Sequence, residues 1–177
     1  MYRNTILSFN KRNVYTSRSP KGYGMAYFAR KEFKKGDIIM IGFGKVIDHQ
    51  TAHISVQIGF KKHYIPEKWT GRYWNHSCNP NSCIKTRSSG FPNLIALKKI
   101  KKNDEIIFLY AMSEFEWAKN AHENYVNCLC GWSNCKGKIL SFSQLSKTEQ
   151  ATLRKNKTCS KYLLDMVKYK GYEKGNF

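Results

Sequence analysis

The sequence predicts a mainly β fold with short helices, made of several small sheets and followed by a helical C-terminal tail. Three observations carry that expectation. Short apolar and β-branched runs alternate with Gly- and Asp-containing turns between residues 22 and 110, the pattern of many short strands. After Ser146 the spacing becomes helical and opens on a capping signal. Between these regions, Cys78, Cys128, Cys130 and Cys135 have a pattern usable by one tetrahedral metal ion, which would tie a distant C-terminal segment to the middle of the chain.

Taken in order, residues 1–20 read as polar and mixed, with a turn over residues 17–20. Gly22 and Gly24 open the next segment, which ends in the turn of Lys34, Lys35, Gly36 and Asp37. Strands are expected over 38–41, over 54–58 with period-two alternation, and over 63–65 after a turn at Lys61 and Lys62. Residues 82–87 and 94–97 flank a Ser-, Gly- and Pro-containing connection and read as an antiparallel pair. A strand over 105–110 follows Lys102, Asn103 and Asp104. In the tail, Ser146 and Glu149 have capping-box spacing, and a helix is expected to about Asn156. Tyr162, Leu163, Met166 and Val167 lie at helical spacing within 161–170, so two helices should cover the core. No internal repeat is apparent.

A chain of 177 residues makes one domain, or one domain with a short appendage, and is long enough for a real core. Residues 1–15 contain no apolar run of signal-peptide length, and no segment approaches the ~20 apolar residues that span a bilayer. We therefore expect an intracellular protein that does not enter membranes, and a monomer. Six cysteines could form disulfides, but Cys128 and Cys130 are one residue apart and no secretion signal is visible, which favours metal. Cys83 and Cys159 fall outside the pattern and read as buried free thiols. The net charge of +19 has two explanations: solubility, or attraction to a polyanion such as DNA, RNA or acidic lipid.

The run from Arg72 to Asn81, containing Asn75, His76, Ser77 and Cys78, resembles the signature of SET-domain protein-lysine methyltransferases. Cys128, Cys130, Cys135 and Gly137 resemble their post-SET zinc element. Residues 21–26 resemble the cofactor-binding Gly-x-Gly segment, and residues 104–110 the strand that carries the catalytic tyrosine. The four blocks occur in the family's order across roughly residues 15–140. The resemblance implies a SET-domain fold with a pseudoknot over 1–140, including the post-SET element at about 128–140, and a helical tail over 141–177.

It also implies roles. S-adenosylmethionine would be held by Gly22, Tyr23, Gly24, Asn75, His76, Arg72 and Leu129. One structural zinc would take Cys78, Cys128, Cys130 and Cys135, which complete a tetrahedron without His76. Tyr110 matches the catalytic tyrosine, and Phe108 the position that helps set how many methyl groups are added. Plainer explanations exist: a surface ion pair for Arg72, a core polar pair for Asn75 and His76, a packed strand residue for Tyr110. Leu109 and Ala111 depart from the family's usual acidic residue and glycine, and Leu109 should face away from Tyr110. Phe115 and Trp117 either line the lysine channel or pack in the core.

The expected partner is a protein substrate lysine, with nucleic acid or chromatin contacted through the basic surface. A basic enzyme would repel a free basic tail and gain affinity from DNA beside its target. The competing expectation is a catalytically dead SET-like zinc module that binds chromatin or nucleic acid. Tyr110, Asn75 and the Gly22–Gly24 spacing favour the enzyme; the +19 charge favours the module.

Overall fold

The computed structural model describes residues 3–51, 54–116 and 127–166. It begins with a helix, α1 (Arg3–Asn13), where the sequence reads as polar and mixed. The buried positions Ile6, Asn10 and Asn13 are spaced four and three apart, so they form one helical stripe. Two of the three are asparagines, which hides the stripe from a hydrophobicity reading. Asn10 serves as a surrogate strand edge: its Nδ2 donates to the Ile41 carbonyl at 2.9 Å, and its Oδ1 accepts from the Ile41 N–H at 2.8 Å. Asn13 Nδ2 donates to the Ile39 carbonyl at 3.0 Å.

Small sheets follow. β1 (Val14–Arg18) pairs antiparallel with β2 (Met25–Ala29). β3 (Ile38–Ile41), β8 (Ser82–Thr86) and β9 (Pro92–Ala96) form a sheet of order β3-β9-β8. β4 (Gly44–Ile47), β5 (Val56–Gly59) and β6 (Lys62–Pro66) form a second, of order β4-β6-β5. β7 (Asn75–His76) pairs in parallel with β10 (Ile107–Phe108). The expected antiparallel pair is β8 with β9; Pro92 belongs to the strand, at its first position, where the missing N–H is tolerated. The strand expected over 105–110 shrinks to two residues. Its partner β7 is equally short, and Tyr110 opens a 3-10 turn, Tyr110–Met112.

The core gathers Tyr27, Phe33, Ile39, Met40, Ile84, Leu94, Ile100 and Ile106 from the strands and adjoining turns. Phe142, Leu145, Cys159 and Leu163 of the tail join the same cluster. α2 (Lys147–Lys155) starts on the expected capping box: the Ser146 hydroxyl accepts from the Glu149 N–H, and the Glu149 carboxylate accepts from the Ser146 N–H. α3 (Lys161–Asp165) buries Leu163; residues 167–170 of the expected helix lie outside the described residues. Cys83 and Cys159 are buried free thiols, pushed by burial up to about 11 and about 12.

Candidate functional site

The β7–β10 pair sets Asn75 and His76 beside Ile107 and Phe108. Further bonds stitch the two segments: Ser77 N–H donates to the Phe108 carbonyl at 2.9 Å, and the Asn81 side chain spans the Ile107 N–H and the Glu105 carbonyl at 3.0 and 2.7 Å. A cavity of about 520 Å³ opens against this seam. Tyr23, Arg72, Asn75, His76, Phe108, Tyr110, Cys128 and Leu129 all line it, so residues far apart in sequence meet at one place.

Phe108 and Tyr110 form one wall, with ring centres 5.2 Å apart and Trp74 packed edge-on 6.1 Å from Phe108. The Tyr110 hydroxyl donates to the Trp74 carbonyl at 3.0 Å, and its backbone N–H donates to His76 Nδ1 at 3.3 Å. This second bond diverts Tyr110 from the strand into the turn. With Nδ1 accepting, the imidazole proton sits on Nε2, which lies 3.6 Å from Cys78 Sγ. Burial brings His76 down to about 4, so the ring is neutral at physiological pH. His76 thus bridges the tyrosine turn and the thiol cluster.

Asn75 lines the cavity while its Nδ2 donates to the Met25 carbonyl at 3.0 Å and reaches Glu105 Oε1 at 3.4 Å. Gly22 and Gly24 have φ of 85° and 91°, a backbone that side-chain-bearing residues rarely adopt. No described atom lies within 4 Å of a Cβ built on either, and neither lines the cavity; Tyr23 between them does. The Tyr23 hydroxyl, like the hydroxyl of Thr51, another lining residue, is buried with no hydrogen-bond partner among the described residues. Desolvation, with Glu105 and the cysteines as lesser causes, pushes the Tyr23 phenol strongly up, so it is a neutral donor. Two unsatisfied hydroxyls on residues that line one cavity suit a polar ligand. Arg72 is exposed at the rim and makes no ion pair among the described residues. Leu129 is 56% exposed, an apolar side chain left open on the cavity's edge.

The sulfurs of Cys78, Cys128, Cys130 and Cys135 all lie within 4.8 Å of one another, with Cys78 3.8 Å from Cys128 and 3.9 Å from Cys135. A tetrahedral zinc with ~2.3 Å bonds has sulfur–sulfur edges of about 3.8 Å, so the donor set and its size fit that ion. Burial pushes the Cys78 and Cys128 thiols up. Burial acts the same way on Cys130, but hydrogen bonds from the backbone at Cys78 and Trp132 and from the neighbouring thiols outweigh it and bring Cys130 to about 6. Beyond His76 lies a second cavity of about 420 Å³, lined by Leu109, Trp132, Leu140 and Leu153. Leu109 lines this second cavity and not the first, so it is directed away from the Tyr110 cavity although the strand ends before it.

Glu114 is a lining residue that sequence reasoning missed. It is 4% exposed; its carboxylate accepts from the Gln57 N–H and the Ser113 hydroxyl, each at 3.0 Å, and from Gln50 Nε2 at 3.3 Å. Desolvation raises it to about 7 against those hydrogen bonds. These bonds tie Gln50 and Gln57 to the end of the tyrosine turn. Phe115 packs edge-on against Phe60, 6.2 Å away, and does not line the cavity; Trp117 lies outside the described residues.

The fold and this seam define a class. The sequence matches the family model of the SET domain over residues 22–111, and the chain belongs to that family. It is 30% identical over 147 residues to the histone-lysine N-methyltransferase mes-4 of Caenorhabditis elegans, covering 66% of this chain and 15% of that protein. It is 28% identical over 134 residues to an H3 lysine-36 specific histone-lysine N-methyltransferase of Candida albicans, covering 65% of this chain and again 15% of the relative. The chain thus spans a small part of the length of these relatives. Its fold is similar to the structure of KRYPTONITE in complex with mCHG DNA and SAH, with a TM-score of 0.57 and 21% identity over 72% of this chain and 29% of that one.

Proposed function

We propose that this chain is a protein-lysine N-methyltransferase that uses S-adenosylmethionine and acts on a histone or another chromatin-associated protein. The observation that carries the proposal is the meeting of Tyr110, Phe108, Asn75, His76, Tyr23 and Leu129 around one cavity within a SET fold. Tyr23, Arg72, Asn75, His76 and Leu129 would hold the cofactor, with Gly22 and Gly24 shaping the loop that presents Tyr23. When bound, S-adenosylmethionine supplies a methyl group on a cationic sulfur. The chain's own residues act on the acceptor amine. The Phe108 and Trp74 rings exclude water from it, and desolvation favours its neutral, nucleophilic form. The Tyr110 hydroxyl, held by the Trp74 carbonyl, orders that amine; alignment of two bound reactants supplies much of the acceleration. Phe108 has no hydroxyl to hold a water against a methylated amine, so transfer continues beyond one methyl group.

Cys78, Cys128, Cys130 and Cys135 would hold one structural zinc, fixing Leu129 against the cavity. The names of the relatives support a chromatin target and hence an intracellular site of action. Among the described residues, no helix is long and apolar enough to cross a membrane.

The test is a mass-resolved assay on histones and on reconstituted nucleosomes with S-adenosylmethionine, alongside calorimetric titration of the cofactor. Methyl-lysine on one of these proteins supports the enzyme. Cofactor binding without transfer, or no cofactor binding, would leave the module reading standing.

A further inference from the structure

Residues 31–37 and 98–104 are two examples of one seven-residue turn, a likeness too short to make the chain a repeat protein. Lys31, Phe33, Lys34, Lys35 and Asp37 of the first recur as Lys98, Ile100, Lys101, Lys102 and Asp104 of the second. The two copies pair antiparallel about their apolar residues: Phe33 N–H donates to the Ile100 carbonyl at 2.9 Å, and Ile100 N–H donates to the Phe33 carbonyl at 3.0 Å. Phe33 and Ile100 are 1% and 0% exposed, so both turns are riveted into the core. The sixth residue of each is left-handed, Gly36 at φ 94° and Asn103 at φ 70°. Each closes with an aspartate accepting from a backbone N–H, Asp37 from Lys34 at 2.7 Å and Asp104 from Lys101 at 2.8 Å.

Seven lysines therefore stand exposed on one paired, rigid element: Lys31, Lys34, Lys35, Lys98, Lys99, Lys101 and Lys102. Three carboxylates accompany them. Two are turned to the backbone, and the third, Glu32, pairs with Lys99 at 2.9 Å. Lys34, Lys35, Lys101 and Lys102 make no ion pair among the described residues. None of the seven lines either cavity. Concentrating like charge at a hydrogen-bonded turn pair raises self-repulsion that the one ion pair, Glu32 with Lys99, offsets only in part, and a phosphate backbone relieves it.

We infer that this twin turn is a docking surface for the phosphodiester backbone of nucleic acid. The inference goes beyond the proposed function and does not depend on methyl transfer. Binding is insensitive to base sequence, because lysines on turns meet phosphates as point charges. Each lysine engaged with a phosphate contributes about 0.9 to the slope of log affinity against log salt.

The experiment measures anisotropy of a labelled duplex of about 30 base pairs with the full chain, from about 50 to 300 mM KCl. The variant Lys34→Gln, Lys35→Gln, Lys101→Gln, Lys102→Gln is compared with a control of equal charge, Lys45→Gln, Lys62→Gln, Lys147→Gln, Lys155→Gln. The twin-turn variant should lose about 3.6 from the slope and at least about tenfold in affinity near physiological salt, and the control much less. Thermal melting checks folding, and the paired variants Lys34→Gln, Lys35→Gln and Lys101→Gln, Lys102→Gln each give half the effect if the fourfold variant does not fold. Equal losses in variant and control would overturn the inference, as would patch-dependent binding to phosphatidylserine vesicles with DNA binding unchanged. Cofactor affinity and methylation of an isolated peptide stay at wild-type level in the twin-turn variant, so failure of the docking surface is separable from failure of the enzyme.

Discussion

Glu114→Gln should remove a pH dependence of stability whose size can be calculated. The wild-type carboxyl titrates near 7 in the folded protein against an ordinary value of 4.5. Between those values the folded state binds more protons than the unfolded state, so stability falls as pH rises from about 4.5 to about 7 and then levels. At 1.36 kcal/mol per pH unit, the interval corresponds to roughly 3 kcal/mol lost by pH 8. Glutamine is nearly isosteric and carries no charge. Its amide oxygen can accept from Gln57 and Ser113, while its amide nitrogen meets Gln50 as one donor facing another. Losing that one hydrogen bond costs about 1 kcal/mol at every pH. The variant should therefore be less stable than wild type by about 1 kcal/mol at pH 4 and more stable by about 2 kcal/mol at pH 8. The curves cross at an intermediate pH. Urea unfolding of both proteins over this range is the assay; subtraction cancels every other titrating group. A difference that stays constant with pH would refute the reasoning, because Glu114 would then ionise alike in both states.

Tyr110→Phe should lower turnover by roughly a hundredfold or more while leaving cofactor affinity near wild type, read by calorimetry and single-turnover methylation. Near-wild-type turnover would remove Tyr110 from the reacting centre. Phe108→Tyr should shift products toward monomethyl-lysine with little effect on the first transfer, followed by a mass-resolved time course. A wild-type enzyme that already stops at one methyl group would contradict the role given to Phe108. Elemental analysis should find one zinc per chain, and Cys78→Ser or chelation should weaken cofactor binding because the clasp fixes Leu129 at the cavity edge. Active, unchelated protein without zinc would contradict this.

Legibility in the sequence followed how much each residue depends on distant partners. The strand over 38–41 was readable because four consecutive apolar residues announce it, and three of the four are buried. β4 was not, because none of its residues is buried and its ordering comes from pairing with β6. α1 was missed because Asn10 and Asn13 occupy positions that apolar periodicity would mark. That Asn75, His76, Phe108 and Tyr110 meet at one cavity was legible through the family resemblance, which compresses three-dimensional proximity into motifs, and the meeting of the four cysteines through their spacing as well. Two features lay outside it. The turn at Tyr110 is set by an imidazole 34 residues away, and the buried state of Glu114 by Gln57 and Gln50, which are 57 and 64 residues away. No local pattern records either.

The asparagine stripe of α1 has a consequence for association. β3 is the outer strand of its sheet, and an outer strand with unpaired N–H and C=O groups is a template on which another chain can add a strand. Asn10 occupies the Ile41 donor and acceptor, and Asn13 the Ile39 carbonyl, so the ladder is sealed by side chains within the same polypeptide. Leucine at both positions would bury those backbone groups without partners, at about 1–3 kcal/mol each, and so loosen the helix from the strand it covers. A margin freed in that way is open to a strand of another chain, so two amide groups stand between this fold and edge-to-edge aggregation.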